Sequence, residues 1–331
     1  MPKCPMLLAA AVLLGTAAGA AAAEQAQVEA WRSRNVPTGP ALVLTYERFL
    51  IQTPPSTLGL DPFYQKYVDA EGIPIVSSSK VPDAALLIAR DIVNAALIER
   101  PDVRRELVRK GARVGIMAID EGTMDLPEMR DWKKPAPDDP RLTRCEKQFY
   151  SQIAAMTDRE YWNGRARGMG GTFTTGAAEN ILGTPGTKYF GENILLHEFS
   201  HNILSAVKTA DPELYQRVQK AYDAAMEKGL WKYSYSAVTI QEYWAEGTQY
   251  WFNSNKVFKS NGVTVASDED LRRYDPALYA VLGEVYGDRH HIKADVFYLH
   301  PARFNVPSIP KNGECRSMFG AVDALRMRVS G

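Results

Sequence analysis

The stretch GENILLHEFSHNIL, residues 191–204, decides how the rest of the chain is read. Its apolar residues recur at helical spacing, which predicts an amphipathic helix. On such a helix His197 and His201, four apart, leave the same face and can reach one ion. Glu198 stands beside them, within reach of a water on that ion. This is the H-E-x-x-H arrangement of zinc sites, and one zinc per chain is the expected cofactor. A catalytic zinc takes three protein ligands and a water, so a third donor has to come from elsewhere.

Downstream, Asp211-Pro212-Glu213 starts another helix, which runs to Gly229 as its C-cap and lets the chain turn back. It returns as YSAVTIQEYWAEGTQYWF, residues 235–252. Glu242 and Glu246 are spaced to share a helix face among Tyr243, Trp244, Tyr250, Trp251 and Phe252. Like charges so placed repel, and burial beside aromatic rings raises the cost unless a cation or hydrogen-bond donors neutralise them. A metal and its histidines would do so. A competing reading spends Glu242 on a capping box with Thr239 and leaves Glu246 exposed. Tyr235 reads as a hydrogen-bond donor or as a packing aromatic, with Tyr233 the other candidate donor.

These residues resemble the gluzincin metallopeptidases of the anthrax lethal factor and Pro-Pro endopeptidase type. That family carries HExxH, then a helix with E-x-x-A-E, and a tyrosine seven positions before the first of those glutamates. His197, Glu198 and His201 match the first element, Glu242 and Glu246 the second, and Tyr235 the third. The resemblance spans roughly residues 190–252. It implies that His197, His201 and Glu242 bind the metal, that Glu246 supports them from behind, and that Tyr235 donates to the transition state. Gly247 departs from the pattern, standing where the family continues with good helix formers.

Working outward, Ile73 to Ser78 reads as a strand, Asp83 to Arg100 as a helix, and Arg113 to Ile119 as a buried strand. A further helix begins at Pro101. The Pro- and Asp-rich segment 121–141 reads as a surface loop, followed by a helix over about 142–158. Gly168-Met169-Gly170-Gly171 reads as a turn before an exposed strand, and Gly170 to Thr175 as an edge to which an extended peptide adds. The region from Asp268 onward reads as packed helices. His290, His291 and His300 read as surface histidines.

Residues 1–23 have the order of a secretory signal peptide: Lys3, an apolar run, and Ala21-Ala22-Ala23 before Glu24. A secreted or periplasmic product without an integral membrane anchor follows. In that oxidising setting Cys145 and Cys315 are expected to form a disulfide. Residues 24–331 read as one two-lobed catalytic unit, with an α/β lobe over about 24–140 and a zinc-binding, helical part over about 141–331. The 331 residues are 45% hydrophobic, which excludes a disordered chain. The 39 basic and 39 acidic residues cancel, which argues against nucleic acid as a partner.

The fold expected is therefore α+β and zincin-like: a sheet-bearing N-terminal lobe, a helical C-terminal lobe, and the active-site helix between them. The function expected is a zinc endopeptidase acting on peptide or protein substrates through a metal-activated water. Two other classes fit the same residues. One is a catalytically silent zinc-containing binding protein, and the other is a metal-dependent hydrolase of a non-peptide bond.

Overall fold

The computed structural model describes residues 50–306 and Cys315. The expected signal peptide lies outside them. The described chain is mixed α+β, with one four-stranded sheet, a small hairpin and eleven α-helices. No helix among the described residues is long and apolar enough to cross a membrane.

The sheet begins as a hairpin of β1 (Lys66–Ala70) and β2 (Ile73–Ser77), joined at Glu71-Gly72. Both turn residues have positive φ, 52° and 92°, as a tight right-twisted hairpin requires. β3 (Arg113–Met117) and β4 (Phe173–Ala177) add in parallel, giving the order β1-β2-β3-β4. The apolar runs of β2 and β3 are buried, as strands covered on both faces should be. The fourth strand thus joins from beyond residue 140.

Two helices connect β2 to β3. α1 (Asp83–Leu97) buries Leu86, Ala89, Ile92, Val93, Ala96 and Leu97 at helical spacing, and α2 (Pro101–Arg109) starts on its proline. The single helix expected over 142–158 is instead two short ones, α3 (Arg144–Gln148) and α4 (Tyr150–Ala155), and α5 (Asp158–Arg165) begins where it was expected to end. Two T-x-x-E boxes in the sequence open α3 and α5, while the break between α3 and α4 falls at Phe149. Thr143 with Glu146, and Thr157 with Glu160, each exchange side-chain and backbone hydrogen bonds and so start a helix. α3 also carries Cys145, bonded to Cys315 with the Cα atoms 5.4 Å apart.

After β4 come α6 (Ala178–Ile181), the long α7 (Ile194–Ala210), α8 (Pro212–Glu227) and α9 (Ile240–Trp251). Gly229 ends the α8 turn with φ 69°, in agreement with its expected cap role. α7 packs against β4, α2, α8 and α9, so the helix carrying the two histidines touches both the sheet and its neighbouring helices. The remainder holds the hairpin of β5 (Phe258–Ser260) and β6 (Val263–Val265), then α10 (Asp268–Tyr274) and α11 (Pro276–Tyr286). The hairpin turns on Asn261-Gly262, again with positive φ, a signal the sequence reading passed over.

His300 corrects another expectation, since it is buried rather than at the surface. His290 lies against Trp251 with ring centroids 4.3 Å apart, and His291 stacks on Tyr298 at 3.8 Å. Gly247, the odd position in its helix, has a packing reason. A Cβ there would meet Leu278 of α11 at 2.8 Å, so the glycine lets the two helices approach.

Candidate metal centre

Asn193 opens α7 by accepting the N–H of Leu196 at 2.9 Å, which sets the phase of the helix and turns His197 and His201 inward. Thr239 does the same for α9, accepting the N–H of Glu242 at 3.2 Å. The Glu242 carboxylate is not spent on that cap. Its Oε2 lies 3.0 Å from Nε2 of His197 and 3.5 Å from Nε2 of His201, and its Oε1 accepts the Tyr235 hydroxyl at 2.8 Å. One ligand atom from each of His197, His201 and Glu242 falls within 4.8 Å of the others, a grouping of a kind that can hold a metal ion.

The donor set can be tested against zinc. Ligands about 2.0–2.1 Å from a tetrahedral ion stand roughly 3.3 Å from one another. The two Glu242 separations bracket that value. Two imidazoles and a carboxylate are also a donor set zinc accepts. The tautomer is set correctly as well. Gln249 donates its amide to the Asn193 carbonyl at 2.9 Å, so its Oε1 faces His197 Nδ1, also at 2.9 Å, and must accept. His197 therefore carries its hydrogen on Nδ1 and turns Nε2 toward the cluster.

Charge is concentrated here. Burial opposes ionisation of His197, but the bond to Glu242 and the charges of Glu198, Glu242 and Glu246 carry its pKa up to about 10. His201, one turn on, moves the other way, down to about 4, because burial dominates and His197 repels a second proton. Glu242 resists burial through His197, His201 and Tyr235 and is held at about 2. Burial raises Glu198 to about 7, aided by Glu242 and opposed by His197 and Arg165. Protons are thus distributed among groups that a divalent cation would otherwise neutralise.

Glu198 Oε2 is 3.8 Å from His201 Nε2, beside the three-donor grouping and outside it. Tyr235 stacks near His197, with centroids 6.1 Å apart and planes 21° apart, and is partly exposed. Burial and the neighbouring carboxylates raise its pKa well above the ordinary value, so it remains a donor. Tyr233 faces other partners, lying against the cations of Arg144 and Lys232.

Glu246 stands beside the other imidazole nitrogen, within ion-pair distance of His197. Its carboxylate is 3.7 Å from His197 Nδ1, and the nitrogen's hydrogen-bond partner is Gln249. Glu246 instead accepts from Asn255 at 2.8 Å, and burial lifts its pKa to about 7. Gln249 was missed by sequence reasoning, although 242, 246 and 249 form a polar stripe at i, i+4 and i+7 on a helix otherwise full of aromatics.

The glycine cluster also has a different role from the one expected. Thr174 and Thr175 are buried, and β4 is the sheet edge, but Met169 already pairs with Thr175 through two backbone hydrogen bonds of 2.8 and 3.3 Å. The outward groups of Thr175 are therefore taken by the chain itself. A Cβ on Gly168 would lie 2.6 Å from Ile194 and 3.0 Å from the Glu198 Cγ. One on Gly170 would lie 2.6 Å from the His201 ring. These glycines let a backbone run directly across the helix that carries Glu198 and His201.

No protein-family model matches the chain, and no curated protein matches it. Among solved structures, a Pro-Pro endopeptidase from Paenibacillus alvei is similar at 16% identity, with a TM-score of 0.38, over 64% of this chain and 96% of that one.

Proposed function

We propose that this protein is a secreted or periplasmic zinc endopeptidase, with His197, His201 and Glu242 as ligands, Glu198 as general base and Tyr235 as donor to the developing oxyanion. The carrying observation is the convergence of two imidazoles and a carboxylate at 3.0 and 3.5 Å, with a buried Glu198 beside them and outside the grouping. Zinc, when bound, supplies a Lewis acid that brings the pKa of a water toward ~7 and polarises a carbonyl.

The chain's own residues supply the rest. Glu198 takes the proton of the attacking water and passes it to the departing amine, a task suited to a carboxylate standing beside the donor grouping and outside it. Tyr235, bonded to a ligand carboxylate and partly exposed, can turn its hydroxyl to the carbonyl oxygen as negative charge develops there. Gln249 and Asn193 hold His197 in register, and Asn255 holds Glu246. The Cys145–Cys315 disulfide suits an oxidising compartment. Residues 24–331 are read as one catalytic unit behind an export signal at 1–23.

The test is a mass-spectrometric digest of a mixed peptide library by the zinc-loaded protein and by Glu198→Gln, with metal counted in both. The expected result is one zinc in each and cleavage by the parent alone, the variant being down by about 10²–10⁴. Zinc in both with cleavage by neither would favour a silent binding protein. Hydrolysis of esters or glycosides alone would move the reading to a non-peptide substrate.

A further inference from the structure

The turn that brings Tyr235 to the site has an unfavourable backbone. Between Gly229 and Tyr235, the side-chain-bearing residues Trp231 and Tyr233 have φ of 58° and 67°. Bulky residues seldom adopt such angles, and they keep them only where their surroundings hold them there. Tyr233 is exposed, whereas Trp231 is 1% exposed. The firmer hold is therefore on Trp231.

The junction of α10 and α11 grips Trp231 at two points. Its main-chain N–H donates to the Tyr274 hydroxyl at 3.0 Å, and its indole Nε1 donates to Oδ2 of Asp275 at 2.9 Å. The indole lies edge-on to Tyr274 and stacked on Tyr250, with centroids 4.8 and 5.5 Å away. Asp275 is buried and receives more than the indole. The same Oδ2 accepts the Tyr243 hydroxyl at 2.7 Å, and Oδ1 accepts the Leu278 N–H at 3.1 Å. Tyr243 follows Glu242 in α9. One carboxylate thus fastens the turn before Tyr235 and the helix that carries Glu242 to a common point.

From Trp231 the hold passes along the turn by printed contacts of the main chain. The Trp231 carbonyl accepts both the N–H and the hydroxyl of Ser234, at 2.8 and 2.7 Å. The Ser234 carbonyl accepts the Ala237 N–H at 3.3 Å, and the Tyr235 carbonyl accepts the Val238 N–H at 3.0 Å. Tyr235 stands within this run of bonds, and its hydroxyl meets Glu242 Oε1 at 2.8 Å. A partly exposed side chain on a strained turn would relax away from that carboxylate if the turn were released.

We propose that Trp231 and Asp275 are positioning residues for Tyr235: bonded to each other in the core, they fix the strained turn and so keep the Tyr235 hydroxyl beside the metal-binding carboxylate. The inference rests on the peptidase reading for what Tyr235 does there, while the hold itself is tested without turnover.

Two conservative variants of the full chain each loosen one grip. Trp231→Phe removes the indole N–H and keeps a ring, and Tyr274→Phe removes the acceptor of the main-chain N–H and leaves Asp275 intact. Both preserve the bond between Asp275 and Tyr243, and either carries the test alone. Amide hydrogen exchange is followed by mass spectrometry. Over 232–238 it should quicken about tenfold, the worth of one lost hydrogen bond, while exchange over 243–251 of α9 stays at the parent rate. On a cleaved peptide kcat should fall about tenfold, with KM and bound zinc within about twofold of the parent. In a Tyr235→Phe background the same substitutions should lower kcat by less than about twofold, because the residue they position has lost its hydroxyl. Unchanged exchange over 232–238 overturns the proposal, as does an equal rise in α9, which would mark a merely structural role. So does an unchanged kcat in a cleaving parent, or a full loss that persists in the Tyr235→Phe background. Quickened exchange confined to the turn, with no hydrolysis by the wild-type protein, would refute the peptidase reading while supporting the hold on Tyr235.

Discussion

On one side of the proposed metal position α9 presents Glu242, Glu246 and Gln249, each bonded to a named partner. On the other side residues 168–170 present two glycines and a backbone that lies on the α7 helix. The first wall is made of side chains and carries charge. The second is made by leaving side chains out, so that main chain can come within van der Waals contact of Glu198 and His201. The first holds His197 and His201 and the second lies against Glu198 and His201, yet only the first announces itself through residue types with recognisable chemistry. A wall of backbone is written in the sequence as absence of bulk, which many unrelated turns share.

The sharpest way to break this comparison is on the side-chain wall. Tyr235→Phe keeps the ring and removes the hydroxyl, and is expected to lower kcat about 10²–10³-fold with KM nearly unchanged. Steady-state kinetics on a cleaved peptide check this. A loss confined to KM would make Tyr235 a packing aromatic. The backbone wall is tested by Gly170→Ala. The added methyl collides with the buried His201 ring, so a stability loss of about 1–3 kcal/mol is expected by denaturant unfolding, together with weakened zinc binding. Unchanged stability and zinc affinity would mean that the close approach of 170 to the helix does not matter.

Gln249→Leu removes the acceptor for His197 Nδ1 without changing the ligand set. Zinc affinity, measured by chelator competition, should fall about 10–100-fold. Glu246→Gln should do less, since its carboxylate hydrogen-bonds Asn255 and stands 3.7 Å from His197 Nδ1, beyond hydrogen-bond distance. A larger effect at 246 than at 249 would reverse the assignment.

The smallest effect expected is on the pH dependence of stability. Burial raises the cost of ionising Glu146, but the charge and hydrogen bond of Arg165 and the bonds from Thr143 hold its carboxyl below the usual range. A depressed folded-state pKa contributes stability that is complete above the unfolded value of about 4.3 and is lost as pH falls through the folded one. Thermal melts between pH 3 and 7 should therefore show a shallower acid limb for Glu146→Gln than for the parent. Parallel limbs would show that the pair does not contribute to stability.

Much of the fold and site could be read without coordinates where the signal is local. Pro101 and Asp211-Pro212 open helices as expected, and α7 and α9 follow from apolar spacing. The starts of α3 and α5 were also local, in two T-x-x-E boxes that the reading of one helix over 142–158 passed over. Arg165 is different. As a lone arginine at a helix end it carries no signal until Glu146, nineteen residues earlier, is seen beside it.

By itself, the sequence determined the two histidines and the glutamate on one helix face, because helical geometry depends on neighbours three and four residues away. It also pointed to Glu242, through the cost of two acids among aromatic rings. Tertiary structure alone decided which atoms meet across segments. It set Glu242 at 3.0 Å from His197, put Gln249 and not Glu246 on the other imidazole nitrogen, and closed Thr175 against Met169. Each of those choices turns on separations of an ångström or less between residues far apart in the chain, and such separations are fixed by how helices and sheet pack, not by any local pattern.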